Sequence, residues 1–381
     1  MIMKCIVNGK LILADKTVEG KAVVFDERIV DIIDADKVDA SYEIIDAKGN
    51  YVAPGLVDIH IHGYLGEDVS DGTAEGIVTM AKGIAENGVT SWCPTTMTVS
   101  KAEIEKAFDA VRSVKNSGEY YGARILGVNS EGPFINPSKK GAQAEEHILR
   151  PDADFIIENA DIIKLYTVAP EVDGGLECIE KVFADGRVVA SMGHTNATYE
   201  EATAGIGAGV RHATHLFNAM TALMHRNPGV VGAALSDERV SCELIADTFH
   251  VSKGLFELVS KIKGDKLCLI TDCMRAGGMP DGDYTLGGQP VCKTGIQCLL
   301  PDGTIAGSVL KLNEAVYNLF SNTTLPIEKA VACASLNPAR AIGEDGEIGS
   351  IEKGKRADII IADEKFGILT TVIGGEIRYE R

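Results

Sequence analysis

The chain has 381 residues, of which 45% are hydrophobic and 24% are charged, so it can bury a large core and has no compositional sign of disorder. Its 55 acidic residues outnumber the 37 basic ones and give a formal net charge of −18, which argues against nucleic acid as a partner. The nine cysteines are scattered without C-x-x-C spacing, as is typical of reduced thiols in the cytoplasm. The N-terminal segment contains no apolar stretch long enough for a signal peptide or a membrane span. We therefore expect a cytoplasmic protein with no membrane partner.

The two ends of the sequence share one pattern. Residues 1–53 read as short strands split by turn signals at Asn8-Gly9 and Glu19-Gly20. Residues 347–381 repeat this pattern around a Gly374-Gly375 turn. Each piece alone is too short to form a core, so we predict that the two ends pair into one small β-sandwich module.

The middle of the chain, residues 54–346, alternates strand-like and helical runs, which is the signature of βα units around a parallel sheet. The strand-like runs are 57–61, 90–95, 125–130, 162–168, 188–192, 211–214, 241–246 and 267–271. Helices are predicted over 74–86, 102–114 and 199–206, the last of which starts with capping-box spacing at Thr198 and Glu201. A β-hairpin insertion over 282–307 precedes a last helix at about 308–320. The fold class is therefore α/β, with a TIM-type (β/α)8 barrel as the main domain.

Active sites of such barrels form at the carboxyl ends of the strands, and the first strand-like run ends in His60 and His62. Side chains two apart on a strand point to the same face, so both rings would face the inside of the barrel and could share a cation. The alternative is a pair of hydrogen-bonded core histidines.

Three other runs lead into Glu131, His194 and His215. One carboxylate and two imidazoles leave a fourth position for water, as catalytic zinc sites do, although each residue could instead be a buried polar group satisfied by its neighbours. His212 lies three residues before His215, so it should face the other way and serve packing. Asp272 ends the eighth run, where a carboxylate can take a proton from an activated water molecule and return it to the leaving group. The alternative for Asp272 is a helix cap or a turn.

Several motifs resemble the N-acetylglucosamine-6-phosphate deacetylase family of the amidohydrolase superfamily, over nearly the whole chain. They are PGLVDIHIHG at 54–63, EGPF at 131–134, GHT at 193–195, HLFNAM at 215–220 and TD at 271–272. The first motif is common to the superfamily. The glutamate of EGPF, where many relatives use a modified lysine, and HLFNAM favour this family. The resemblance implies hydrolysis of the acetamide of N-acetyl-D-glucosamine 6-phosphate, which yields D-glucosamine 6-phosphate and acetate in amino-sugar catabolism.

The resemblance also implies roles for individual residues. Glu131, His194 and His215 would bind the main metal ion, and His60 with His62 would bind a second, which makes one or two divalent ions per subunit. We expect zinc, with iron, manganese and cobalt as alternatives that suit the same donors. Asp272 would be the general base and acid of the reaction.

The substrate contacts are likewise implied by the resemblance. Asn218, Ala219 and Arg226 would bind the phosphate of a phosphorylated amino sugar, and His225 with Arg226 would reach across a homodimer interface into the neighbouring site. The residues expected to hold the sugar and close over it are Ala142, His250, Ala306, Gly307 and Ser308. His250 would also help to stabilise the oxyanion.

One position departs from the pattern. Gln143 stands where many single-metal members have a histidine that polarises the acetyl carbonyl. A second metal ion at His60 and His62 could supply that polarisation instead. Two alternatives to the main reading are a deacetylase for N-acetylgalactosamine 6-phosphate or another N-acyl amidohydrolase, and a metal-free barrel that serves as a scaffold. The retained ligand set argues against the scaffold.

Overall fold

The computed structural model describes residues 3–118 and 122–381. At the centre of this part of the chain, eight parallel strands form a barrel in which consecutive strands are neighbours. They are β1 (Leu56–Ile61), β2 (Val89–Thr96), β3 (Val128–Phe134), β4 (Ile163–Val168), β5 (Val189–Met192), β6 (His212–Ala213), β7 (Ser241–Ile245) and β8 (Leu267–Ile270). The segment after β8 closes the barrel against β1, because the amide of Asp272 donates to the carbonyl of His60 at 2.9 Å. The predicted barrel is confirmed.

Helices cover the outside of the barrel. Those found in the described residues are α1 (Ala74–Ala85), α2 (Lys101–Asn116), α3 (Ala153–Glu158), α4 (Gly175–Asp185), α5 (Tyr199–Ala208), α6 (Gly229–Ser236), α7 (Phe256–Lys263), α8 (Leu312–Ser321), α9 (Ile327–Cys333) and α10 (Leu336–Ala341). The capping box predicted at Thr198 and Glu201 is present at the start of α5. The last predicted helix begins later than expected, at Leu312, because the backbone amide of Ser308 instead binds the carbonyl of Asp272 at 2.8 Å. None of these helices is both long and apolar enough to cross a lipid bilayer.

The barrel core explains the apolar runs seen in the sequence. Strands buried on both faces carry continuous apolar sequence rather than an alternating pattern, and every residue of β8 is fully buried. Helix α2 shows the complementary pattern: Ile104, Phe108 and Val111 recur at helical spacing and are fully buried against the strands.

The small module contains two sheets. One has four strands in the order Ile29–Asp34, Lys21–Phe25, Lys4–Val7 and Glu43–Asp46, and the other has six in the order Glu376–Glu380, Ile368–Ile373, Ile359–Ala362, Tyr51–Pro54, Lys10–Ile12 and Thr17–Val18. Both ends of the chain contribute to the second sheet, since Tyr51–Pro54 pairs antiparallel with Ile359–Ala362. Residues of the two sheets, such as Phe25 and Ile361, share one apolar cluster. This is the β-sandwich predicted from the two ends.

The insertion before α8 has one strand more than the predicted hairpin. It forms a three-stranded sheet of Gly282–Leu286, Gln289–Thr294 and Gln297–Leu299. The side chain of Gln289 donates to the carbonyl of Ala142 at 2.9 Å, which ties the insertion to the loop after β3. Short strands at Gly63–Tyr64, Glu67–Asp68 and Arg124–Ile125 complete the described strands.

Candidate metal centre and active-site cavity

The carboxyl ends of four barrel strands bring the five candidate ligands together. His60 lies in β1 and Glu131 lies in β3. His62 directly follows β1, and His194 and His215 lie two residues after the ends of β5 and β6. Two overlapping groups result, in each of which the ligand atoms lie within 4.8 Å of one another: His60, His62 and Glu131, and Glu131, His194 and His215. All five side chains are buried. Glu131 is the member that the two groups share.

The hydrogen bonds on the far side of three imidazoles fix which nitrogen faces the centre. The Nδ1 atoms of His60, His62 and His194 lie 2.9, 3.1 and 2.8 Å from the Glu243 carboxylate, the Thr95 carbonyl and the Lys139 carbonyl. These oxygens only accept hydrogen bonds, so each Nδ1 carries the hydrogen and each Nε2 points inward.

The inward nitrogens crowd around Glu131. The Nε2 atoms of His60 and His62 are 3.3 Å apart, and those of His194 and His215 are 3.1 Å apart. Nitrogens this close, beside a carboxylate, need protons or metal ions between them. Four imidazoles and carboxylate oxygens suit zinc and other first-row divalent ions, so the residues present fit such an ion.

Glu131 contacts both groups with different oxygens. Its Oε1 lies 3.1 Å from His194 Nε2 and 2.9 Å from His215 Nε2, and its Oε2 lies 3.1 Å from His62 Nε2. Burial by itself would raise the pKa of this carboxyl group, but the surrounding imidazoles, His60 and His194 foremost, hold it well below its ordinary value. The side chain is therefore an ionised carboxylate that lies between the two ligand groups.

Asp272 lies beside the same centre and lines a cavity that opens onto it. Its Oδ1 is 3.3 Å from His62 Nε2 and 3.5 Å from His60 Nε2. Burial opposes ionisation, yet the hydrogen bond from His62 and the charge of His60 lower the pKa of Asp272 below its usual range. An ionised carboxylate at this position can accept a proton.

A second layer of polar residues supports the ligands, and the sequence analysis singled out neither Glu243 nor Asp58 within it. Glu243 on β7 binds His60 through Oε2 and lies 3.1 Å from His212 Nε2 through Oε1. Together with Glu131, it outweighs the effect of burial and raises the pKa of His60 to about 9. Asp58 accepts a hydrogen bond of 2.7 Å from the hydroxyl of Thr271, and burial raises its pKa to about 7. The available signal for Glu243 was a single acidic residue inside the apolar run 241–246.

A cavity of about 370 Å³ opens onto the centre. Of the residues expected to bind substrate, those that line it are Ala142, Gln143, Asn218, Ala219, His250 and Gly307. Ala306 and Ser308 are fully buried behind the cavity wall, and the Ser308 hydroxyl donates to the carbonyl of Thr271 at 2.6 Å. His225 and Arg226 are exposed on the loop between β6 and α6, outside the cavity.

Gln143 points at a ligand rather than only at the cavity. Its side-chain oxygen accepts from the amide of Thr98 at 2.7 Å, which fixes the orientation of the side-chain amide because a backbone N–H only donates. Its nitrogen donates to Glu131 Oε2 at 2.6 Å. Gln143 therefore holds the carboxylate that the two ligand groups share.

His250 has a similarly fixed ring. Its Nδ1 donates to the Asp247 carboxylate at 2.6 Å, and that carboxylate also accepts from the backbone amides of Phe249 and His250, each at 2.8 Å. The remaining ring nitrogen, Nε2, is left for a group in the cavity.

The backbone at the centre adopts left-handed conformations. His194, His215 and Asp272 have φ values of 47°, 30° and 51°, which are uncommon for residues other than glycine and cluster at functional sites. These turns direct the side chains back over the ends of the strands.

A parallel barrel with buried imidazole and carboxylate ligands and an ionised aspartate at the carboxyl ends of its strands defines a metal-dependent hydrolase. In agreement, the sequence model described as the amidohydrolase family matches residues 51–378.

Proteins with similar sequences indicate which family of amidohydrolases the chain belongs to. The chain is 38% identical over 346 residues to the N-acetylglucosamine-6-phosphate deacetylase of Bacillus subtilis (strain 168), covering 89% of this chain and 87% of the relative. It is 36% identical over 331 residues to the N-acetylgalactosamine-6-phosphate deacetylase of Escherichia coli O157:H7, covering 86% of this chain and 87% of that relative.

A solved structure agrees. The N-acetyl-D-glucosamine-6-phosphate deacetylase of Mycobacterium smegmatis, an aspartate-to-alanine mutant in complex with N-acetyl-D-glucosamine-6-phosphate, matches with a TM-score of 0.92 and 27% identity over 99% of this chain and 100% of that one. The chain belongs to the N-acetylglucosamine-6-phosphate deacetylase family of the amidohydrolases.

Proposed function

We propose that this protein hydrolyses the acetamide of N-acetyl-D-glucosamine 6-phosphate, releasing D-glucosamine 6-phosphate and acetate in amino-sugar catabolism. The observation that carries the proposal is one cavity that joins the ligand cluster and Asp272 to the Asn218–Ala219 segment. The side of the cavity with the ligand cluster and Asp272 can activate water, and the side with Asn218 and Ala219 can bind an anion. The similarity to relatives with this activity supports the assignment.

The cations would be held by Glu131, His194 and His215 at one position, and by His60, His62 and Glu131 at the other. We propose zinc as the metal, with one or two ions per subunit; iron, manganese and cobalt suit the same donors. A divalent ion bound there supplies a Lewis acid and lowers the pKa of a water molecule.

Asp272 is proposed as the general base and acid. Its ionised carboxylate would take the proton of the attacking water, and the same group would then protonate the amine nitrogen as the C–N bond breaks. Gln143 would hold Glu131 in place, which its bond of 2.6 Å supports. His60, His62 and Glu131 would hold a second cation, which would supply Lewis-acid chemistry at the acetyl carbonyl, and His250 lines the same cavity.

The anion side of the cavity is formed by the turn after β6. Among the residues that the structure describes, the backbone amide of Ala219 donates to no other group, and Ala219 has a φ of 51°, so this amide is available for an anion. The ammonium group of Lys139 lies 3.3 Å from the Met220 carbonyl. This arrangement supports binding of the substrate phosphate by Asn218 and Ala219, while Ala142 and the Ala306–Ser308 turn would enclose the sugar.

We further propose a homodimer in which His225 and Arg226 reach the phosphate of the neighbouring site. Both residues are exposed, and they follow Leu223 and Met224, whose exposed fractions of 49% and 59% are unusual for such apolar side chains. A second copy of the chain would cover them. We also propose a cytoplasmic location, which the nine unpaired thiols support.

The test is acetate release by purified protein of known metal content from N-acetylglucosamine 6-phosphate. The unphosphorylated sugar and the galactosamine epimer run alongside, because one relative acts on the epimer. Fast release from the first substrate alone supports the proposal. Faster release from the epimer supports the alternative substrate, and no release from any of the three by metal-loaded protein contradicts both.

A further inference from the structure

Glu243 is a buried carboxylate that contacts no substrate-facing surface. It is 0% exposed, and no lysine or arginine among the described residues pairs with it; its ion-pair partners there are His60 and His212. Burying a charge without partners is costly, so the donors around this carboxylate matter. Two of them belong to metal-ligand residues, one from each group.

Three donors converge on Glu243. Its Oε2 accepts from His60 Nδ1 at 2.9 Å and from the backbone amide of His215 at 2.8 Å, and its Oε1 accepts from His212 Nε2 at 3.1 Å. One carboxylate oxygen thus holds the ring of one ligand and the strained backbone of another, since His215 has a φ of 30°.

The bond to His60 differs from those that orient the neighbouring ligands. His62 and His194 donate to the backbone carbonyls of Thr95 and Lys139, which no substitution removes. His60 alone among these three depends on a side chain. If that acceptor is lost, the hydrogen can move from Nδ1 to Nε2, where it blocks the cation position.

We propose that Glu243 is a positioning residue that keeps His60 as the Nδ1–H tautomer and thereby sets the affinity of the His60, His62 and Glu131 position for a divalent cation. The inference rests on the proposed function only in that the centre binds metal ions. It concerns ion binding without substrate, so it stands or falls separately from the choice of sugar.

The conservative variant Glu243→Gln makes a sharp prediction. The His215 amide only donates, so the glutamine oxygen must take the place of Oε2, where it also accepts from His60. Its nitrogen then faces His212, whose Nδ1 has no hydrogen-bond partner among the described residues and can take up the hydrogen. Glu243→Gln should therefore retain the second cation position, whereas Glu243→Leu, which has no acceptor, should lose it.

The experiment is a calorimetric titration of metal-free protein with zinc ion, together with metal analysis after dialysis. We expect two equivalents for the natural chain and for Glu243→Gln. For Glu243→Leu we expect the position formed by His60, His62 and Glu131 to lose affinity ~10–100-fold, the range typical for losing an outer partner of a metal-binding histidine. His212→Gln is the matched control, because it disturbs the same buried layer without touching His60, and it should bind two equivalents.

Several results would overturn the proposal. The proposal is wrong if the natural chain binds only one equivalent of zinc, or if Glu243→Leu binds two equivalents at unchanged affinity. It is also wrong if His212→Gln loses as much zinc affinity as Glu243→Leu does, because that result would indicate a packing role. If Glu243→Leu does not fold, as judged by circular dichroism, the same zinc titration is done with Glu243→Asp. Its carboxylate is too short to reach His60, so the same loss is expected, and unchanged affinity contradicts the inference.

Discussion

Replacement of Asp272 by asparagine should remove the proton acceptor and preserve the site. Residue 272 has a φ of 51°, which asparagine tolerates as well as aspartate does. The backbone bonds that hold it, to the His60 carbonyl at 2.9 Å and from the Ser308 amide at 2.8 Å, do not use the side chain. The five buried ligands are unchanged. Fold and metal content should therefore stay as they are.

The size of the kinetic effect follows from the cavity. The carboxylates that line the cavity are those of Glu131 and Asp272. Both oxygens of Glu131 contact histidines, so Glu131 cannot replace Asp272 as the proton acceptor. Positioned acid–base groups contribute ~10²–10⁴-fold, and Asp272 would act in both proton transfers. We expect kcat to fall ~10³–10⁴-fold, equivalent to ~4–5.5 kcal/mol at ~1.36 kcal/mol per tenfold change.

The assay is acetate release at saturating substrate, with metal content and circular dichroism measured on the same samples. Asp15→Asn, an exposed position outside the barrel, serves as the control and should behave as the natural chain. If metal-loaded Asp272→Asn keeps kcat within ~5-fold of the natural value, far less than such a group contributes, the assignment of Asp272 as the base is wrong.

Three further predictions concern the metal, the pH and the phosphate. Chelation should lower Tm by ~5 °C in calorimetry, since an ion at ~1,000 times its Kd contributes ~4.1 kcal/mol and the unfolding entropy at ~2.1 cal/mol/K per residue is ~0.8 kcal/mol/K for this length; an unchanged Tm argues against a bound ion. In the metal-free protein, the raised pKa of His60, about 9, contributes stability that is complete below the unfolded histidine pKa of ~6.5 and is lost as the pH rises through the folded value. The Tm of the metal-free form should therefore fall from pH ~6.5 to ~9, whereas the Tm of the metal-loaded form should not. If the Tm of both forms depends on pH in the same way, this prediction is wrong. Arg226→Ala should raise KM for the phosphorylated sugar ~10–100-fold, because a hydrogen bond to a charged group contributes ~1.5–3 kcal/mol; equal effects on the unphosphorylated sugar, or from the exposed control Arg378→Ala, would count against a phosphate contact.

The barrel could be predicted from the sequence because its strands are buried on both faces. Runs such as 241–246 and 267–271 are mostly apolar rather than alternating, and turn residues separate them from helical runs. The end of α8 was also close to its predicted place. Its start was not, because the Ser308 amide is used in a contact with Asp272, a residue far away in the sequence.

The ligand positions followed from one rule, that functional side chains collect at the carboxyl ends of barrel strands. That rule ranks residues by their place on a strand, so it found His60 and Glu131. It could not reveal that Gln143 clamps Glu131 or that Glu243 orients His60. Those contacts depend on side-chain directions set by neighbouring strands and on left-handed backbone turns. The left-handed residues at the centre are His194, His215 and Asp272 rather than glycines, so the sequence contained no sign of these turns.

The sheet shared by the two ends of the chain has a consequence for biosynthesis. Tyr51–Pro54 leads almost directly into β1, yet its partner Ile359–Ala362 leaves the ribosome some three hundred residues later. Until then the early strands present an unpaired edge and an apolar face, which are features that promote aggregation. The β-sandwich should thus be the last part of the molecule to form, and its stability will govern how well newly made chains survive rather than how fast the finished enzyme turns over.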